Sequence, residues 1–174
     1  MQNIEEANKI IHKAFEFHSK GNILEAAKYY QFFIDKGFKD YRVFTNYGAI
    51  LQGQGKLHEA EESYRKAIQL NPTYATAYSN LGVILKDLGK LKEAEISTRK
   101  SIELNPNSTM AHSNLGGILK DLGKLKEAEI STRKSIELNS NFADAHLNLG
   151  SILQDLGKLK EAEISTRKSI ELNP

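Results

Sequence analysis

The sequence predicts an all-α chain of repeated helix pairs. Three observations carry this: a period of 34 residues, apolar residues at helical spacing within each period, and glycine and proline at fixed places between the runs. The segment KDLGKLKEAEISTRKSIELN at 86–105 recurs unchanged at 120–139, and a third copy at 154–173 differs only by Gln154. Sliding the chain by 34 extends the register further. Gly21, Gly55, Gly89, Gly123 and Gly157 share one column, Ala26, Ala60, Ala94, Ala128 and Ala162 another, and the three prolines Pro72, Pro106 and Pro174 a third.

Within one period Tyr78, Leu81, Ile84, Leu85 and Leu88 fall on one helical face, and Leu91, Ala94, Thr98, Ser101 and Ile102 on a second. Gly89 stands between them, where a helix end takes the left-handed conformation that glycine adopts without a Cβ penalty. The second helix is expected to stop before Asn105-Pro106, because proline lacks an N–H and pushes the residue before it out of the helical region. Gly82 and Ala94 are small where paired helices approach closely. Five units follow, at 7–40, 41–74, 75–108, 109–142 and 143–174, in a single domain over 1–174.

These columns resemble the tetratricopeptide repeat, whose pattern runs from an aromatic through Leu-Gly, a large residue and a second-helix alanine to a closing proline. In 75–108 the matching residues are Tyr78, Leu81-Gly82, Leu85, Ala94 and Pro106. The resemblance implies a right-handed α-solenoid, a superhelix of stacked antiparallel helix pairs that buries a core between neighbours. Departures from the pattern are local. The first unit has Lys13-Ala14 for Leu-Gly and Phe38 for proline, with Phe15, Phe17, Phe32 and Phe33 expected to close its end of the core. Asn3 with Glu6 reads as a capping box opening the first helix. Tyr30 and Tyr64 give way to Thr98, Thr132 and Thr166, which predicts thinner packing, and Ser140 in the proline column predicts a looser helix end. After Ser169, Ile170 and Leu172 the last interface is expected to lie open, inviting end-to-end self-association.

Composition narrows the function. With 24 basic and 22 acidic residues, the net charge of +2 leaves no footprint for nucleic acid or a membrane surface. Cysteine is absent, which removes disulfides and thiolate metal sites. The N-terminal MQNIEEANKIIHKAF has no apolar core of a secretory signal, and no apolar window is long enough for a span, so a cytoplasmic location is expected and the Asn107-Ser108-Thr109 sequon is read as accidental. No HExxH, GxSxG, phosphate loop or dinucleotide fingerprint occurs, and the expectation is a chain that is not an enzyme and carries no cofactor. His112 and His146 share the Tyr78 column, but equivalent positions on stacked helices lie roughly 8–10 Å apart, against about 2 Å for a zinc–nitrogen bond. They are read as packing residues.

By the resemblance, the first helix of each unit lines a concave groove. Its exposed face repeats Asn46, Asn80, Asn114 and Asn148, beside the small residues Thr45, Ser79, Ser113 and Ala49, Val83, Gly117, Ser151. A carboxamide both donates and accepts, so such a column can pair with the backbone of an extended peptide whatever its side chains. Columns of this kind hold extended peptides in other arrays of the family. Lys86, Lys120, Asp87, Asp121 and Asp155 on the same face are expected to tune side-chain preference without strong charge selectivity, since they nearly cancel. The carboxylate clamp of chaperone-binding members is not matched, because Thr45 and Ala49, or Ser79 and Val83, stand where its charged residues would fall. The expected role is an interaction scaffold for a protein or peptide partner. Alternatives are the substrate-recruiting N-terminal region of a larger enzyme such as a transferase, and a self-assembling array.

Overall fold

A computed structural model describes residues 2–173, with side chains from residue 4 onward, so the Asn3 half of the expected capping box lies outside the described side chains. Its regular structure among those residues is helical throughout: α1 Gln2–Ser19, α2 Ile23–Asp35, α3 Tyr41–Gly53, α4 Leu57–Leu70, α5 Ala75–Asp87, α6 Leu91–Leu104, α7 Thr109–Asp121, α8 Leu125–Leu138, α9 Ala143–Asp155 and α10 Leu159–Leu172. The contacts gather into two compact units, 1–77 and 78–174.

In the first unit α1 packs on α2 and α3 on α4. Ile10, Ala14, Ala26, Tyr30, Phe33 and Val43 form one core, and Phe44, Ala67 and Ala77 a second. Phe15 and Phe17 pack against the first of these, as expected of an end repeat. Phe32 does not join them. It is 45% exposed, with Lys36 Nζ 5.3 Å above its ring, while its neighbour Phe33 takes the core-facing place on α2.

The second unit repeats one arrangement. Ile84, Leu85, Ile118, Leu119, Ile152 and Leu153 are buried, each contributing about 1.5–3 kcal/mol relative to exposure. Helix ends follow the sequence signals. The turn glycines Gly89, Gly123 and Gly157 have φ of +74°, and α6 ends at Leu104 with Asn105 capping. Where Ser140 replaces proline the helix end is not loosened: α8 stops at the equivalent Leu138, and the Asn139 N–H still reaches Ser135 O at 3.0 Å. Asparagine holds that turn, since Asn139 Oδ1 accepts from the Asn141 N–H at 3.0 Å, as Asn71 Oδ1 does from Thr73 in the first unit at 3.2 Å.

Threonine does not thin the packing either. Thr98 and Thr132 are fully buried, and a Cβ added to Gly82 or Gly116 would overlap their Oγ1 atoms. At Gly48 the same Cβ would meet the Tyr64 ring at 2.8 Å. The smaller side chain lets the two helices close until threonine itself meets the glycine. A serine column adds a second tie in two of these pairs: Ser97 Oγ donates to Tyr78 O at 2.9 Å and Ser131 Oγ to His112 O at 3.0 Å.

These contacts separate two helical glycines. Gly116→Ala should lower stability by about 1–3 kcal/mol through overpacking, whereas Gly53→Ala, with open space around the added methyl, should raise it by about 0.4–1 kcal/mol. Urea unfolding followed by circular dichroism reads both.

Candidate functional site

The asparagine column is built into the stack. In the second unit Asn114 on α7 donates through Nδ2 to Ser79 Oγ of α5 at 3.3 Å, and Asn148 on α9 to Ser113 Oγ of α7 at 3.0 Å. Both acceptors are buried, and the three asparagines Asn80, Asn114 and Asn148 are half-buried. In the first unit Asn46 donates to Tyr30 Oη at 3.2 Å, and that hydroxyl lies 2.9 Å from His18 Nδ1. Burial pushes the Tyr30 phenol up from its ordinary range, so it stays protonated. A carboxamide has two N–H donors and a carbonyl with two lone pairs. One bond to the preceding repeat therefore fixes its orientation and leaves a donor and the acceptor for a ligand. In the fifth repeat Leu147, 54% exposed, occupies the position of the acceptors Ser79 and Ser113.

The charged residues expected on this face also meet across repeats. Lys86 Nζ lies 3.6 Å from Asp121 Oδ2, and Lys120 Nζ lies 3.8 Å from Asp155 Oδ2 and donates to Ser151 Oγ at 2.6 Å. Gly117 holds the place of Ser151 one repeat earlier, with Lys86 Nζ nearest to where its Cβ would be. Asp87, Asp121 and Asp155 are exposed and the lysines half-buried. Lysine of one repeat thus answers aspartate of the next, which leaves the face close to neutral.

His112 and His146 act as tethers. Their Nε2 atoms lie 2.9 Å from Pro106 O and Ser140 O, tying each helix start to the turn before it. No group of three metal-binding side chains occurs among the described residues, and no described helix is long and apolar enough to cross a membrane.

A second ladder, on the side of the second helices, is not apparent from local spacing. The pair Glu95 and Arg99 meets at 2.9 Å as four-residue spacing predicts, but Lys124 Nζ also reaches Glu95 at 2.8 Å and Arg99 reaches Glu127 at 2.8 Å. The same set recurs as Glu129 with Arg133 and Lys158, and Arg133 with Glu161. Partners 28 or 29 residues apart, just short of one period, are the signal that would have revealed it. The Glu95 and Glu129 side chains are 13% and 14% exposed, against 63% for Glu163, where the ladder stops.

Family models of the tetratricopeptide repeat match 75–108, 111–142 and 143–174, and a further TPR repeat model matches 48–89. The chain belongs to the tetratricopeptide repeat family. Solved structures of similar fold include MamA from Desulfovibrio magneticus, at 20% identity over 95% of this chain and 94% of that one, TM-score 0.82. Another is YrrB, described as a TPR protein with an unusual peptide-binding site, at 24% identity over 99% of this chain and 89% of that one, TM-score 0.78. The pilF protein of Pseudomonas aeruginosa is similar at 19% identity over the whole of this chain and 79% of that one, TM-score 0.82. No curated protein matches the chain. The TPR fold classes this all-α chain with the helix-pair solenoids.

Lysine hydrogen bonds and neighbouring cations hold Glu95 and Glu129 below the usual carboxylate range, the bond from Lys124 leading at Glu95 and that from Lys158 at Glu129. A carboxylate whose pKa is depressed by folding stabilises the native state above its unfolded pKa, and that contribution fades as pH falls through the folded value. Stability should therefore drop below pH ~4. Glu95→Gln with Glu129→Gln should lower stability at pH 7 and flatten this acid limb, as thermal melts across pH 2–7 would show.

Proposed function

We propose that this TPR chain is a non-catalytic interaction scaffold that binds an extended peptide segment of a partner along the first-helix face of its second unit. The observation that carries the reading is the oriented amide column. Asn114 and Asn148 are each held by a serine of the preceding repeat, and Asn80 occupies the same position in its own repeat. An extended chain presents alternating N–H and C=O groups, and a carboxamide with one donor already spent can still answer one of each. Because the orientation is set before binding, little rotamer freedom is lost when the peptide arrives.

The rest of the face supports a peptide with little net charge. Lys86 and Lys120 are paired with Asp121 and Asp155, so an acidic or basic ligand would have to break a pair to gain one. Val83, Gly117 and Ser151 keep the surface between the asparagines low. Asp87 stands exposed at one end as a candidate contact for a single cationic side chain. In the first unit Asn46 is oriented in the same way by Tyr30 and offers a separate contact. YrrB, a protein of the same fold, has a peptide-binding site, and this agrees with the reading.

Twelve-residue peptides selected by phage display against the whole chain provide the probe. Asn80→Ala, Asn114→Ala and Asn148→Ala should each weaken a selected peptide about 5- to 30-fold, the loss of a hydrogen bond in a desolvated site. Lys86→Ala should change which peptides are selected more than how tightly they bind. Unchanged affinity in the Asn114→Ala, Asn148→Ala double variant, measured by calorimetry, would refute the proposal.

A further inference from the structure

The second helices of the second unit carry a positive charge that the ion-pair ladder leaves over. From each capping lysine to the helix end, at 90–104, 124–138 and 158–172, the sequence holds four cations against three carboxylates. Among the described residues no carboxylate of α6, α8 or α10 is free: Glu95 and Glu127 meet Arg99 and Glu103 meets Lys100, with equivalent pairs in the later copies. Lys92, Lys126 and Lys160 remain exposed and without an ion pair. Each is the second residue of its helix, where a positive charge opposes the helix dipole, so the fold gains nothing from it. Four residues on, and so on the same helix face, stand Ile96, Ile130 and Ile164, which are 71%, 70% and 68% exposed.

Two rows thus run side by side over three helices, one cationic and one apolar. In the first unit the lysine places hold Leu24 and His58 and the isoleucine places Lys28 and Glu62, so the paired rows belong to the three near-identical copies alone. Two clefts deepen the apolar row. One, of about 550 Å³, lies between α6 and α8, with Ile130 on its rim and Ile102, Leu115 and Leu119 among its walls. The other, of about 590 Å³, lies between α8 and α10, with Ile164 on its rim and Ile136 and Leu149 among its walls. The other charges bordering them, such as Arg99, Glu127, Arg133 and Glu137, are already paired.

We propose that this face is a second docking surface, separate from the amide column, for an acidic amphipathic segment of a partner protein. Its apolar side chains lie against the isoleucine row and enter the clefts, and its carboxylates meet Lys92, Lys126 and Lys160. Charge complementarity selects this occupant. A neutral segment would leave three cations unanswered, a second copy of the chain would bring its own lysines against them, and an acidic one supplies the one charge per repeat that the ladder lacks. Size limits the contact. A 14-residue helix is about 21 Å long, and two helix spacings make the face roughly 20 Å wide. That is about half of the ~800 Å² that each partner of a stable complex buries, so the face fits a short segment better than a folded domain and holds it weakly.

Fluorescence anisotropy with the whole chain and a labelled peptide of about 18 residues, patterned with a Leu and Phe stripe flanked by Glu, tests this. The peptide should bind, and its affinity should fall several-fold between about 20 and about 300 mM salt. A counterpart with Gln for every Glu, and another with Ser for every Leu and Phe, should each bind at least about 10-fold more weakly. The triple variant Lys92→Glu, Lys126→Glu, Lys160→Glu should weaken the acidic peptide by about 5- to 20-fold. It should keep its helical circular dichroism, because an acid in the first turn suits the helix dipole. Ile130→Ser with Ile164→Ser, both at exposed positions, should weaken it by about 10-fold. Asn114→Ala with Asn148→Ala should leave it unchanged, which separates this face from the amide column. Failure of the acidic peptide to bind, equal binding of its Gln counterpart, undiminished binding by the lysine variant, or loss of binding in the asparagine variant would each overturn the proposal. So would tighter binding to vesicles with about 30% phosphatidylserine than to the peptide, since the face would then serve a membrane surface.

Discussion

The structure depends on one close approach inside the helix pairs that carry glycine. Where the first helix carries glycine, the second brings a tyrosine or threonine directly onto its backbone, at Gly48 with Tyr64 and at Gly116 with Thr132. This contact sets how far apart the two helices stand, and through that the position of everything they carry. Once the spacing is fixed, serine hydroxyls reach the carbonyls of the partner helix, and core side chains such as Leu115, Ile118 and Leu119 are buried at close-packed density. The rungs between repeats follow from the rungs within them.

Much of this can be read from the sequence because the signals are local. Helical spacing, turn glycines and the proline stop are each written within a few residues, and the period shows once the chain is slid against itself. What is not legible depends on two places at once. Ser140 reads as a weak point only while proline is held to be the stop, whereas the adjacent Asn139 closes the turn by its own side chain. The threonines read as missing volume only if the helix spacing stays unchanged around a smaller residue. Phe32 reads as core because aromatic residues cluster around it, yet helical geometry turns it outward beside Phe33.

The amide column is visible as a pattern, but its tether is not. Nothing in the triplet around Asn114 says that its amide reaches Ser79, 35 residues earlier, since that pairing exists only after two repeats are stacked. The charged residues of the same face share this property: Lys86 and Asp121 look like independent surface charges until the stack brings them within 3.6 Å. The helix-pair geometry thus assigns the two faces different characters. One offers oriented polar groups with most of their charges paired, and the other a ladder of ion pairs that crosses from repeat to repeat.

The ladder of Glu95, Arg99, Lys124 and Glu127 has a genetic corollary. Each rung between repeats joins a residue of one copy to a residue of the next, and the copies supply the same residues, so inserting or deleting one whole copy reconnects each such rung to an equivalent partner. Unequal recombination between such copies leaves no orphan charge and no mismatched surface. Array length is therefore free to drift by whole repeats while the fold stays intact, and selection can act on reach without first repairing stability.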